Sequence, residues 1–143
     1  MEKFKFEELI VYKYSRALVK SIYKLIEKFP QQERNALSDQ LRRAVISVPS
    51  NIAEGLGRDS RKDQARFLDI SYGSLMETFC QLQLAADLEY ITQEEFEKER
   101  IHITDTAKLL KGLIKSYRRT DSVQNAPTIN NLQPTTNNLQ PTK

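Results

Sequence analysis

Between Leu68 and Ala86 the apolar residues keep a strict rhythm. Leu68, Tyr72, Leu75, Phe79, Leu82 and Ala86 are separated by 4, 3, 4, 3 and 4 positions. A strand exposes alternate residues on alternate faces, so this spacing has no use there. In an α-helix it puts all six side chains on one face, as a heptad seam. A seam of that length has to be covered by other helices, which restricts the chain to helical packing. Gly73 and Ser74 interrupt the seam with small side chains, which predicts close approach by a neighbouring helix.

Three more segments share the rhythm. Val11, Tyr14, Leu18, Ile22, Leu25 and Phe29 predict a first helix over 6–28, ended by Pro30 because the residue before a proline is pushed out of helical geometry. A polar turn, "PQQERNA", follows, with Asn35 or Ser38 as candidate caps for a second helix. That helix carries Leu41, Ala44, Val45, Val48, Ile52 and Leu56. Gly55 and Gly57 suit its end, and Asp59 or Ser60 suits the cap of the third helix. Thr92 followed by Glu95 reads as a capping box for a fourth helix, with Phe96, Ile103, Ala107, Leu110, Ile114 and Tyr117 on one face. The expectation is an all-α, antiparallel up-down-up-down four-helix bundle over 4–119. After Arg119 the pattern stops. The segment 120–143 contains "INNLQPT" followed at once by "TNNLQPT", polar and proline-bearing, and is expected to be a disordered low-complexity tail.

The stretch "LRRAVISVPSNIAEGLGR", Leu41 to Arg58, poses one local problem. Proline is welcome in the first turn of a helix, so "PSNIAEG" can start a new one, with Asn51 and Glu54 at capping-box spacing. Alternatively Pro49 sits inside one kinked helix, at a cost of about 3 kcal/mol for the missing hydrogen bond and the clash. The apolar phase runs through Pro49 without a shift, which favours the single helix.

Composition narrows the function classes. The sequence holds one Cys and one His in 143 residues. Cys80 can form no internal disulfide; it falls within an apolar helical pattern and is expected in the core. "MEKFKFEELIVYKYSR" mixes acids and bases and predicts no secretory signal, and no apolar run reaches the roughly 18 residues of a membrane span. A cytoplasmic protein is expected. Glu99 and His102 have Glu-x-x-His spacing, but a di-iron bundle needs two such motifs and zinc needs more His or Cys than the chain has. Gly55 and Gly57 make a Gly-x-Gly pair with no P-loop around it. No metal, cofactor or catalytic constellation is expected, and so no enzyme.

The remaining signal is charge. The net +3 conceals segregation: +4 over 3–28, +3 over 34–66, −7 over 67–99 and +5 over 100–119. Lys13, Arg16, Lys20 and Lys24 form a stripe on the first helix, and Arg42, Arg43, Arg58, Arg61 and Lys62 lie on or beyond the second. These nine residues are the candidate nucleic-acid contacts, through phosphate and without base-reading motifs or an aromatic platform. The acidic third-helix region is equally able to serve subunit or adaptor contacts.

"LRRAVISVPSNIAEGLGR", "FLDISYGSLMET" and "AADLEYI" together resemble the four-helix-bundle proteins associated with intervening sequences of bacterial 23S ribosomal RNA genes. The same fold family is similar to the accessory variability protein of diversity-generating retroelements. The resemblance implies a non-enzymatic bundle that assembles as a ring-like homopentamer. In the retroelement branch it implies binding to nucleic acid and to a reverse transcriptase, that is, an accessory or adaptor role. On this footing Pro49, Asn51, Glu54 and Gly55 are packing residues, with Asn51 and Glu54 expected to hydrogen-bond to Ser71 or Ser74.

Overall fold

Leu18, Ile22, Leu41, Val45, Val48, Ile52, Leu68, Leu75, Leu82 and Leu110 are completely withdrawn from solvent. Each contributes about 1.5–3 kcal/mol by leaving water. They are drawn from four helices: α1 (Ile10–Ile26), α2 (Leu37–Leu56), α3 (Arg61–Asp87) and α4 (Gln93–Arg119). The computed structural model describes residues 1–119, and no strand occurs among them. The expectation about 120–143 lies outside the described residues. Each helix packs on its two neighbours, α1 on α2 and α4, α3 on α2 and α4, in an up-down-up-down bundle.

The helix ends show which local signals operate. Ser60 Oγ accepts from Asp63 N at 3.1 Å, capping α3. Thr92 and Glu95 close a reciprocal box at α4, at 3.0 and 2.9 Å. At α2 neither Asn35 nor Ser38 caps. Ala36 holds the cap position, and Glu33 reaches forward to accept from Leu37 N at 3.1 Å. The first helix is shorter than its apolar pattern: Lys5–Glu8 is a 3₁₀ turn, and Leu9 is extended before α1 begins. α3 stops without a glycine. Glu89 takes a left-handed φ of 64°, and the amides of Glu89 and Tyr90 bond back to the carbonyls of Ala86 and Ala85, satisfying the final turn.

Pro49 lies inside one uninterrupted α2, so the capping-box reading of Asn51 and Glu54 fails. Gly55 belongs to the helix and Gly57 is its C-cap. A Cβ on Gly55 would lie 2.8 Å from Phe67 Cβ and 3.2 Å from the Gln64 carbonyl. Only glycine lets α2 and α3 meet there. Gly73 is the opposite case: it is exposed, and a Cβ there would meet nothing within 4 Å. Within the chain it permits no close approach, contrary to expectation.

The buried seam of α3 is rotated from the predicted one. Leu68, Ser71, Leu75, Thr78, Leu82 and Ala85 are buried, while Tyr72, Phe79 and Ala86 are half-buried at its edge. Ser71 and Thr78 tolerate the core because their hydroxyls donate to the carbonyls of Val48 and Ser74, each at 2.8 Å. α1 shifts in the same way. Ser15 is buried and donates to the Tyr12 carbonyl at 2.7 Å, while Tyr14 is 36% exposed. Cys80, expected in the core, is exposed.

Candidate nucleic-acid interface

The proline segment is structural, by a route different from the one expected. Asn51 makes no direct bond to α3. Its amide donates to the Ser47 carbonyl and hydroxyl, both at 2.8 Å, and Ser74 Oγ reaches Ser47 Oγ at 2.9 Å. Ser47 therefore relays Asn51 to Ser74, and Ser71 holds the neighbouring Val48 carbonyl directly. Glu54 takes no part. It is exposed and ion-paired with Arg58 at 2.9 Å.

The nine candidate cations fall in three places. Lys13, Arg16, Lys20 and Lys24 stand exposed along α1. Lys13 pairs with Glu8 at 3.7 Å, Arg16 lies over the Tyr12 ring at 5.9 Å, and Lys20 and Lys24 join no ion pair among the described residues. Arg42 and Arg43, though adjacent, diverge on α2. Arg42 lines a cleft with Tyr23, Glu27 and Arg34 and donates to the Arg34 carbonyl at 3.2 Å, whereas Arg43 pairs outward with Asp39 at 2.9 Å. Arg58, Arg61 and Lys62 share the α2–α3 turn. There the guanidinium of Arg58 lies 4.6 Å from the Phe67 ring centre and that of Arg61 4.5 Å from Tyr117. Burial pushes the Tyr117 hydroxyl above its ordinary pKa, and the Arg61 charge beside it pulls the other way.

Sequence reasoning missed four participants. Arg66 lies over the same Phe67 ring at 4.7 Å, and Arg118 ion-pairs with Asp69, so both add to the basic end of the bundle. On α1, Tyr14 and Tyr23 are 36% and 37% exposed and border the basic stripe. Tyr14 packs edge-on against His102 of α4, and Tyr23 opens toward Arg42 of α2. Tyr14, expected on the buried face of α1, thus stands at the edge of the stripe instead. Tyrosine counts as apolar in a periodicity argument, and a period of 3.6 does not say which of two adjacent phases a tyrosine will take.

Elsewhere the polar groups read as structural. His102 Nε2 lies 3.1 Å from the Tyr14 carbonyl, and its Nδ1 lies 4.0 Å from the buried carboxylate of Glu99, which accepts from Ser21 Oγ. Among the described residues no three His, Cys, Asp or Glu side chains converge as ligands for an ion, and no helix is long and apolar enough to cross a membrane.

Comparison with known proteins adds the family. The model of the 23S rRNA-intervening sequence proteins matches residues 7–112, which spans α1, α2, α3 and most of α4. This chain belongs to the 23S rRNA-intervening sequence protein family. A crystal structure of a protein of unknown function from the S23 ribosomal protein family of Bacteroides thetaiotaomicron is similar, with a TM-score of 0.69 and 31% identity, over 74% of this chain and 99% of that one. No curated protein matches. For this 23S rRNA-intervening sequence protein the family covers the whole α2–α3 seam and both groups of basic residues on α1 and the α2–α3 turn.

Proposed function

We propose that this 23S rRNA-intervening sequence protein is a non-enzymatic, homo-oligomeric bundle that binds single-stranded RNA through the outer face of α1. The observation that carries this is the row of exposed cations on that face, Lys13, Arg16, Lys20 and Lys24, with partly exposed Tyr14 along its α4 edge and Tyr23 along its α2 edge. Phosphates pair with the cations, and unstacked bases find a π-surface at the tyrosines without being read for sequence. The ion pair Lys13–Glu8 is no obstacle. Exposed pairs are worth at most about 1 kcal/mol and yield readily to a phosphate. Arg58, Arg61 and Lys62 extend the positive field at one end of the bundle. Repetition of this face around a ring, five-fold as the resemblance implies, turns weak contacts on each subunit into avid binding.

The test is fluorescence anisotropy of a labelled single-stranded RNA at several salt concentrations, where log K falls with log salt by about 0.7 per phosphate contact. The double change Lys20→Ala with Lys24→Ala is expected to lower that slope, and Tyr23→Ala to weaken binding with the slope unchanged. Absence of binding at low salt, or binding without a salt slope, overturns the proposal.

A further inference from the structure

α3 has apolar residues on its solvent side as well as in the core. Ile70, Gly73, Glu77, Cys80, Leu84 and Leu88 follow one another at helical spacing and are all exposed; Ile70, Leu84 and Leu88 are 41%, 46% and 53% accessible. They make a ridge, and Gly73 leaves a bare stretch of backbone within it. Two carboxylates mark it, Glu77 within and Asp87 beside Leu88, and neither joins an ion pair among the described residues. At 1.5 Å per residue they stand about 15 Å apart.

A different side of α3 forms a groove with α4. Tyr72, Met76 and Phe79 make one wall, and Ile103, Thr104 and Ala107 the other, around about 370 Å³. Its lining contains three bases and no acid. Arg100 stands at one end, held 5.0 Å from Phe79 and 5.3 Å from Phe96 and ion-paired with Glu97 at 3.1 Å, an exposed pair of the kind that yields to a second carboxylate, with Lys111 at the other, 4.4 Å from Tyr72. Lys108 adds to the second end. Arg100 and Lys111 are about 16 Å apart along α4. The stretch of the ridge from Glu77 to Asp87 thus matches the groove in length, in its apolar middle and in opposite charge at its two ends.

We propose that the α3 ridge of one copy of this chain docks in the α3–α4 groove of a second copy, with Cys80 and Leu84 against Met76, Thr104 and Ala107 and the carboxylates of Glu77 and Asp87 on Arg100 and Lys111. This rests on the homo-oligomeric reading above and deepens it by naming the contact. A foreign acidic amphipathic helix meets the groove's requirements too, but the complementary surface is already present on the same chain. Because ridge and groove are different surfaces, the contact is head-to-tail. Repetition gives a closed ring or an open chain, never a two-fold dimer. The same docking covers Cys80.

Mass in solution with site-directed charge reversal tests this. Wild type is expected as a multiple of the 16.6 kDa chain. Glu77→Arg with Asp87→Arg, and separately Arg100→Glu with Lys111→Glu, are each expected to run as monomers with a cooperative thermal transition. All four changes in one chain restore the contact and the assembly. Thr104→Trp, which plugs the groove without altering charge, gives a monomer and covers the case in which the Arg100 change impairs folding. Cys80 reacts with a maleimide about tenfold more slowly in wild type than in the ridge variant when nine-tenths of the chains are assembled. A monomeric wild type overturns both this contact and the homo-oligomeric reading. An assembly that survives the ridge, groove and plug variants overturns the contact alone, as does a folded quadruple variant that stays monomeric.

Discussion

α3 meets its two neighbours in different ways. On the α2 side the seam is closed: Gly55 brings the helix backbones together, Ser71 holds the Val48 carbonyl, and Ser74 reaches Asn51 through Ser47. On the α4 side Tyr72, Met76 and Phe79 leave a groove that three cations border. One helix thus has a seam of small and hydroxyl side chains and a seam of large ones, roughly a third of a turn apart. Small side chains allow contact at backbone distance and let hydrogen bonds fix the register. Large rings keep the outer edges apart and make a concave surface. The first arrangement serves the fold, and the second leaves something to bind.

The sharpest way to break this contrast is to destroy the core that both seams share. Leu75 is completely buried. Leu75→Asp buries an unpaired carboxylate, so the expected loss exceeds about 4 kcal/mol and leaves no cooperative transition by circular dichroism. Normal helicity with a sharp melt would show that Leu75 does not face the core.

Next in size is Gly55→Ala, which attacks the closed seam alone. The added methyl would sit 2.8 Å from Phe67 Cβ and 3.2 Å from a backbone carbonyl, neither of which can swing away. Overpacking of this kind costs about 1–3 kcal/mol, read as a lower midpoint in chemical denaturation at unchanged slope. The groove side of α3 is untouched, so the mass in solution is expected to stay that of wild type.

Much of this was legible in the sequence, and the part that was not has a physical cause. The existence of all four helices follows from apolar spacing, and the caps at Ser60 and Thr92 follow from residue chemistry. Phase was harder. Leu68, Leu75 and Leu82 belong to both possible seams on α3; Ser71 with Thr78, or Tyr72 with Phe79, completes the set. A hydrophobicity argument chooses the rings. The chain chooses the hydroxyls, because each finds a carbonyl in reach and leaves room for α2. The same error put Tyr14 inside and hid the aromatic borders of the α1 stripe. Cys80 was misplaced because a small apolar residue one step off the seam fits the pattern as well as one within it. Helix ends without signature residues were invisible, as with Glu33 working for Ala36 and Glu89 standing where glycine is usual. The cations themselves were legible, but their partition between ring contacts and ion pairs needed coordinates.

Gly73→Ala sharpens the comparison, because the same substitution has the opposite sign on the solvent side of α3, away from the closed seam. An exposed glycine within a helix is destabilising by roughly 0.5–1 kcal/mol relative to alanine, and a methyl at Gly73 meets nothing within the chain. A chain held monomeric by Glu77→Arg with Asp87→Arg is therefore expected to gain about that much from Gly73→Ala. An equal loss at Gly55 and Gly73 would mean that α3 is packed alike on both sides.

The smallest effect is expected where α1 meets α4, away from both seams. Glu95 accepts from Lys28, just beyond the end of α1, and from the Thr92 amide, and these bonds hold its carboxyl below its ordinary value of 4.5, the Lys28 bond most strongly. A carboxylate whose folded pKa is depressed stabilises the fold fully above its unfolded value and loses that contribution as pH falls through the folded one. The melting temperature of wild type is therefore expected to decline below pH 4.5 more steeply than that of Glu95→Gln, with the two curves parallel near neutrality. Because the pair is exposed, salt should shrink the difference. Thr104→Trp should show the same decline as wild type, since it fills the groove without adding or removing a titrating group. A decline that disappears with that change instead would place the acid-sensitive carboxylates at the α3–α4 surface and make that seam, open as it is, a contributor to folding.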